Sequence, residues 1–501
     1  MTKRVLFTVF LIIFGIFNIG HAQVEYEGYL VKFSDNYTPI EADLELINVE
    51  ENLYLAPDNG FCALDRINIE EIEPNIEVDL IEDIRIFSEY SNDFTSYQTE
   101  MQAMNPMAFW NLGIFGNPVK VAVIDSGYTY NKDSGNNVLE GKNYYDGTKN
   151  VTDDIGHGTH VTGIIAASND DNYGISGIAP QAKVVPLKCF ADGKKTTVDM
   201  LVRAINEAVN DYHCDVINMS WGMESKSSAL STALNNAYNK GVILVAAAGN
   251  DGDATVNYPA GYSTVIGVGS VDKDKVHSTF SQVNSSVFVS AYGENILSTY
   301  IGGDYAYMSG TSQATPAIAS FCALCKGCDN SITPRIMSEL LMNSCDDLGT
   351  SGYDKTYGYG LINGEKLKKN LLKRFFEVKG NKITINNKTD GDLGFKIEFS
   401  NKGDLVIPIA KKELRELTLE FDNSTALYSL DDSNYSGNSV SGNFENNGSI
   451  ISLTDKNEKC SNILKSIAPI SDCVGKKVNF YFWDGLSKMK PLTKKVSLEI
   501  N

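Results

Sequence analysis

The sequence predicts a doubly wound α/β domain built on a mostly parallel sheet, followed by a C-terminal all-β module of sandwich type. Two observations carry this. Between Lys120 and Ala246, short apolar runs alternate with amphipathic helical stretches, the pattern of a parallel sheet with helices on both faces. Past about Arg374 the texture changes to short strand-like runs separated by Asn, Gly and Asp. At 501 residues the chain exceeds one ordinary core, and a norm of roughly 100 to 200 residues per domain suggests about three units.

Taken in order, the chain opens with Thr2-Lys3-Arg4, an apolar run from Val5 to Phe17, and Gly20-His21-Ala22 before Gln23. These are the three parts of a secretory signal peptide over residues 1–22. The run falls short of the roughly 20 residues that span a bilayer. Export is expected, giving a soluble extracellular protein with no membrane span once mature. Residues 23–97 are acidic; 28–33 and 53–56 read as strands, whereas the carboxylate-rich block from Ile67 to Ile86 has an uneven apolar pattern and is assigned no element.

Lys120 to Ile124 reads as a buried strand that delivers Asp125-Ser126-Gly127 to its C-terminal end, where open α/β sheets place their sites. Gly156-His157-Gly158-Thr159-His160-Val161 opens a helical segment running to Ala167. There follow a strand from Ala182 to Leu187, a helix from Val198 to Val209, a strand from Val216 to Gly222, a helix from Ala229 to Lys240 and a strand from Val242 to Ala246. That last strand ends at Ala248-Gly249-Asn250, which offers a side-chain amide just past a buried strand.

The stretch Tyr307 to Pro316 precedes the apolar run from Ala317 to Leu324, and its small residues and early proline seat Ser312 at a helix N-terminus, where peptide dipoles favour negative charge. A lone Gly-Thr-Ser is more simply a helix cap. A serine becomes a nucleophile only if a base takes its proton and an acid steadies that base. Asp125, His157 and Ser312 supply these roles, in the chain order Asp, His, Ser.

The segments Val123 to Gly127, Gly156 to Val161, Ala246 to Asn250 and Gly310 to Pro316 together resemble the subtilisin-like serine peptidases, the subtilases, over roughly residues 105 to 370. Ser126 stands where Thr is commoner in that family, and Gln313 where Met is commoner; neither removes a catalytic group. The resemblance implies an Asp125-His157-Ser312 triad, Asn250 as side-chain donor to the oxyanion, and hydrolysis of protein or peptide substrates through an acyl-enzyme. It implies that Ser220-Trp221-Gly222 pairs with the substrate backbone, with Ala248 and Gly249 beside it and Asn257 on the floor of the primary pocket. For Trp221 a hydrophobic subsite and a plain core role stay open. Residues 23–97 resemble the family's small α+β pro-region, a partner that blocks the cleft until cut between Tyr90 and Met101. The implied domains are then 1–22, 23–97, a peptidase domain 98–373 and an accessory domain 374–501.

The chemistry requires no cofactor. The loop Asn169-Asp170-Asp171-Asn172 resembles the family's calcium loop with one extra residue, making Asp133, Asn169 and Asp171 candidates for a structural calcium; an ordinary solvated turn is the alternative. A net charge of -20 with no basic patch argues against nucleic acid as a partner. Nine cysteines accompany the export signal. Cys460 and Cys473 are expected to pair, while Cys322, Cys325 and Cys328 are read as buried apolar groups rather than metal ligands. Two other functions fit the motifs: a catalytically silent binding protein of subtilase type, and a narrow processing protease or transpeptidase.

Overall fold

The computed structural model describes residues 26–33, 44–48, 53–56, 69–80, 83–87, 95–169, 173–379, 382–390, 393–399, 403–409, 411–412, 414–422, 441–442, 450–455, 477–483 and 496–499. The signal-peptide segment and the Cys460–Cys473 pair lie outside these residues.

At the centre is a nine-stranded sheet. Its spatial order is Cys345–Asp346, Leu361–Ile362, Val289–Tyr292, Ile266–Val271, Ile243–Ala247, Val216–Met219, Lys120–Asp125, Lys183–Lys188 and Lys142–Asn143. Every neighbouring pair is parallel except the first. Side chains alternate across the 120–125 strand. Val121 and Val123 enter the core shared with the helices His157–Ala166 and Thr311–Cys328. Ala122 and Ile124 enter the core shared with the helices Val198–Asn210 and Ser228–Asn239. Both faces are therefore covered, which is why these strands read as continuous apolar runs. The strand order turns back on itself about the 120–125 strand, so the C-terminal ends of 120–125, 216–219 and 243–247 open side by side at a switch point.

The block from Ile67 to Ile86, left without an element above, forms two strands, Ile69–Leu80 and Asp83–Phe87. Their order comes from pairing partners elsewhere in the chain. Strand 69–80 pairs with Tyr26–Phe33, which pairs with Leu53–Ala56, and that in turn with Glu45–Asn48. Beyond this N-terminal sheet, strand 69–80 continues onto Thr196–Thr197 and Trp221–Gly222. Strand 83–87 joins a second small sheet with Tyr305–Ser309 and Ile296–Thr299. Local pattern could not reveal partners more than a hundred residues away.

After the helix Gly364–Leu372 come two antiparallel sheets. One contains Phe376–Lys379, Lys382–Asn386, Leu414–Asp422 and Ile450–Asp455; the other contains Ser441–Gly442, Gly403–Ile409, Leu393–Phe399, Lys477–Trp483 and Val496–Glu499. Ile383, Ile385, Leu393 and Phe395 are buried in the same apolar cluster as helix 311–328. Polar contacts reinforce this join. Asp329, just past that helix, holds Lys388 at 2.7 Å and lies 3.6 Å from the Arg374 guanidinium.

Burial alone would raise the Asp329 carboxyl, but the hydrogen bonds from Lys388 and Ser331 hold it below the usual carboxylate range. A depressed folded value means that its contribution is present above the unfolded carboxylate range and is lost as pH falls through the folded value. Asp329→Asn is expected to destabilise the protein by about 1–3 kcal/mol near neutrality. Thermal melts of both proteins across pH check this; the gap between them should shrink in acid.

Candidate active site

Asp125 is the last residue of the 120–125 strand and His157 the first of helix 157–166; both are fully buried. Asp125 Oδ1 lies 2.7 Å from His157 Nδ1 and accepts the Ser126 amide at 2.7 Å. An ionised carboxylate only accepts, so Nδ1 carries the proton and Nε2 is the basic nitrogen. The helix start is held by local chemistry. Asp153 accepts the amides of Ile155, Gly156 and Thr159 and the Thr159 hydroxyl, while Ser126 Oγ accepts the Gly158 amide at 2.8 Å. Gly158 permits that approach, since a Cβ there would lie 2.3 Å from the Gly127 carbonyl oxygen.

Ser312 is the second residue of helix 311–328 and is also fully buried. Its hydroxyl donates to the Ser220 carbonyl at 3.0 Å. Pro316 corrects the sequence reading in an informative way. It is the sixth helical residue, past the first turn, so its missing amide is one that would have bonded the Ser312 carbonyl. That carbonyl instead accepts the Ser220 hydroxyl at 2.9 Å. Ser312 and the strand-end segment are thus bonded in both directions.

Asn250 follows the 243–247 strand. Its Oδ1 accepts the Thr311 amide at 2.9 Å and the Thr311 hydroxyl at 2.8 Å, which fixes its Nδ2 end as the donor. Thr311 Oγ1 in turn accepts the Gly249 amide at 3.2 Å. Gly249 has φ +115, and a Cβ there would meet Asn257 Nδ2 at 2.0 Å, so no other residue fits. Asn257 is buried, with Nδ2 at 3.4 Å from the Ala248 carbonyl. Ser126 and Thr311 gave no separable signal in the sequence, because each acts by holding a neighbour.

The Ser220-Trp221-Gly222 segment divides its roles. Its backbone pairs with strand 69–80, Trp221 opposite Leu80 and Gly222 opposite Asp79. The Trp221 side chain is fully buried, donates its indole N–H to the Ile124 carbonyl at 3.0 Å and packs near Phe190, so it is a core residue. His160 is structural as well: Nε2 lies 3.0 and 3.1 Å from the carbonyls of Ile296 and Ala306, and burial pushes its pKa down to about 3.

Asp133 is buried; its Oδ2 accepts the Ile175 amide at 2.6 Å and the Tyr305 hydroxyl at 3.3 Å. Burial and this carboxylate push the Tyr305 phenol far up, so it remains a donor. Asn169 is half-buried and follows Ser168, whose amide donates to the Asp133 carbonyl at 2.8 Å, and Asp171 falls outside the described residues. Among the described residues, no cluster of three or more His, Cys, Asp or Glu could hold a metal. Cys322, Cys325 and Cys328 are buried free thiols whose pKa values burial raises, to about 12 for Cys328. Among the described residues, no helix is long and apolar enough to cross a membrane.

An acid-steadied imidazole, a serine at a helix start and a fixed amide donor, all at one end of a parallel sheet, form a site of the serine hydrolase class. The model of the subtilase family matches residues 116–360. The minor extracellular protease Epr of Bacillus subtilis is 34% identical over 369 residues, covering 71% of this chain. The chain spans 56% of that protein's length. The M-protease of Shouchella clausii is 32% identical over 356 residues, covering 68% of this chain and 90% of its own. A solved structure titled as proteases from Pseudoalteromonas arctica is similar at a TM-score of 0.51 and 28% identity, over 56% of this chain and 98% of that one. The chain belongs to the subtilase family of serine peptidases, and its central domain has the subtilisin-like fold.

The N-terminal sheet is fastened to helix ends. The Glu73 carboxylate accepts the Ser227 and Ser228 hydroxyls and the Ser228 and Ala229 amides at the start of helix 228–239. Asn75 exchanges two hydrogen bonds with Asp199, 2.6 and 2.9 Å, at the start of helix 198–210. Glu73→Ala is expected to destabilise the intact chain by about 1–3 kcal/mol and to raise amide exchange first in strands 26–33 and 69–80. Hydrogen exchange resolved by peptide checks it.

Proposed function

We propose that this chain is a secreted serine endopeptidase that hydrolyses peptide bonds through Asp125, His157 and Ser312 and matures itself. The observation that carries this reading is the buried Asp125–His157 hydrogen bond of 2.7 Å, which leaves Nε2 as the base. Ser312 attacks the carbonyl carbon, its proton passes to Nε2, and the leaving amine takes that proton. Water then releases the acyl group by the same route. Asn250 Nδ2 and the Ser312 amide stabilise the oxyanion, which draws on them more strongly than the substrate carbonyl does. Ser220 and Gly222 bind substrate backbone as a strand does, beside Ala248, Gly249 and Asn257, favouring broad cleavage.

The pro-region over residues 23–97, the peptidase domain over 98–373 and the β-rich accessory domain over 374–501 belong to this reading. So does export, supported by the segment 1–22. A serine-directed fluorophosphonate should label the matured wild type but not Ser312→Ala, and Ser312→Ala should lose peptide hydrolysis. Asn250→Ala should keep its labelling site and lose about a hundred- to a thousandfold in kcat, as the corresponding change does in a subtilisin. Labelling of Ser312→Ala equal to wild type would sink the assignment.

We further propose a structural calcium held by Asp133, Asn169 and Asp171. A hard cation suits these oxygen donors and would not enter the chemistry. Saturating calcium should then raise Tm relative to chelator, and Asp133→Asn should abolish that increment.

A further inference from the structure

Lys188 ends the strand that flanks the Asp125 strand, and it lies in register opposite Asp125 itself. It is only 4% exposed, so its ammonium group sits where a charge is costly unless it is paired and hydrogen-bonded. Both conditions are met. Nζ donates to the Ser126 carbonyl at 2.6 Å and to Asp154 Oδ1 at 2.8 Å. Burial would raise the Asp154 carboxyl, but the hydrogen bond and the charge of Lys188 hold it below the usual carboxylate range. None of the chemistry assigned above uses this buried cation.

Its two partners belong to the two turns that carry the acid and the base. Ser126 follows the acid: its amide donates to Asp125 Oδ1 at 2.7 Å, and its hydroxyl oxygen accepts the amide of Gly158, next to His157, at 2.8 Å. Asp154 precedes His157 by three residues and stands beside Asp153, whose carboxylate accepts the Gly156 and Thr159 amides. The backbone after Lys188 closes the same joint, since the Cys189 and Phe190 amides donate to the Asp125 carbonyl at 2.9 and 3.2 Å. Packing there is tight. A Cβ on Gly127, which has φ +109, would lie 3.3 Å from Lys188 Cδ and 2.2 Å from the Val151 carbonyl oxygen.

We propose that Lys188 is a positioning residue of the peptidase: its ammonium group bridges the Asp125 turn to the turn that leads into His157, and its positive charge favours the neutral, basic imidazole. The inference rests on the serine-peptidase reading above and adds to it a group that acts through Ser126 and Asp154. As a bridge, Lys188 fixes the separation of the two turns and so the line from Asp125 through His157 to Ser312. Misplacing reacting groups by an ångström costs on the order of a hundredfold in rate. As a charge, it opposes a second positive charge on His157, whereas Asp154 favours one.

The other titratable groups at this joint are accounted for. Asp125 and Asp153 accept the hydrogen bonds already described, and the Tyr300 hydroxyl donates to the Ile155 carbonyl at 3.1 Å. Three more stay neutral near pH 7, because burial pushes His160 down to about 3, Tyr145 up to about 12 and the Cys189 thiol far up. Asp199 and Glu207 face Cys189 from farther along the same side. Lys188 thus brings positive charge to a joint otherwise rich in carboxylates.

Kinetics of the secreted, matured enzyme test both roles, with peptide hydrolysis followed across pH, active enzyme counted by a serine-directed fluorophosphonate and folding checked by thermal melts. Lys188→Met removes charge and bridge but keeps an unbranched chain. Its kcat should fall at least about tenfold, with KM within about twofold of wild type. The base must be neutral to take the serine proton, so losing the positive charge should move the acid limb of kcat/KM to higher pH, by about half a unit or more. Asp154→Asn removes the opposite charge and should move that limb to lower pH. Lys188→Arg keeps the charge and displaces its donors, so kcat should fall with the limb in place. Asp154 is half-exposed, so its variant reads the charge role even where Lys188→Met does not fold. Limbs that shift the same way in Lys188→Met and Asp154→Asn, or an Asp154→Asn limb at the wild-type pH, overturn the charge role. Wild-type kcat in a lysine variant overturns the bridge. A wild type that neither hydrolyses peptides nor takes the probe overturns the peptidase reading beneath both.

Discussion

The site depends on a buried hydrogen bond between two side chains that arrive from different elements. Asp125 comes at the end of a central strand and His157 at the start of a helix, and neither is exposed. In so dry a place a carboxylate needs donors, and it has the Ser126 amide as well as the imidazole. The surrounding geometry follows from keeping that contact. Asp153 and Ser126 fix the helix start, Gly158 lets it come within reach of Gly127, and the two apolar cores hold strand and helix in place.

A second coupling ties the nucleophile to the segment that binds chain beside it. Proline in a helix is ordinarily a defect, because it orphans a carbonyl four residues back. Here the orphan belongs to Ser312, and Ser220 satisfies it while its own carbonyl accepts the Ser312 hydroxyl. Exchanging two hydrogen bonds fixes the distance between helix start and strand end more firmly than packing alone would. The Thr311–Asn250 contacts extend the same lattice to the third strand end, so nucleophile, strand-pairing edge and amide donor move as one body.

Much of this was legible in sequence, for physical reasons. Buried strands of a parallel sheet must be apolar throughout, so Lys120–Asp125 and Ile243–Ala247 stood out, and the candidate site residues stand at or just past their ends. Residues whose role is to hold another residue were not legible. Thr311 and Ser126 are small hydroxyls like many others in the chain, and Pro316 looked like a helix starter when it lies inside. The strands 69–80 and 83–87 were hidden for a different reason. Their pairing partners, Trp221–Gly222 and Tyr305–Ser309, are far along the chain, and an acid-rich segment with an uneven apolar pattern offers no local trace of them.

Strand 69–80 is held by backbone pairing, by polar groups at helix starts, Glu73 on helix 228–239 and Asn75 on helix 198–210, and by Val78, which is buried in the apolar cluster that contains Trp221. Backbone pairing is indifferent to side-chain sequence, so most of what holds this strand leaves little mark on its own stretch of chain.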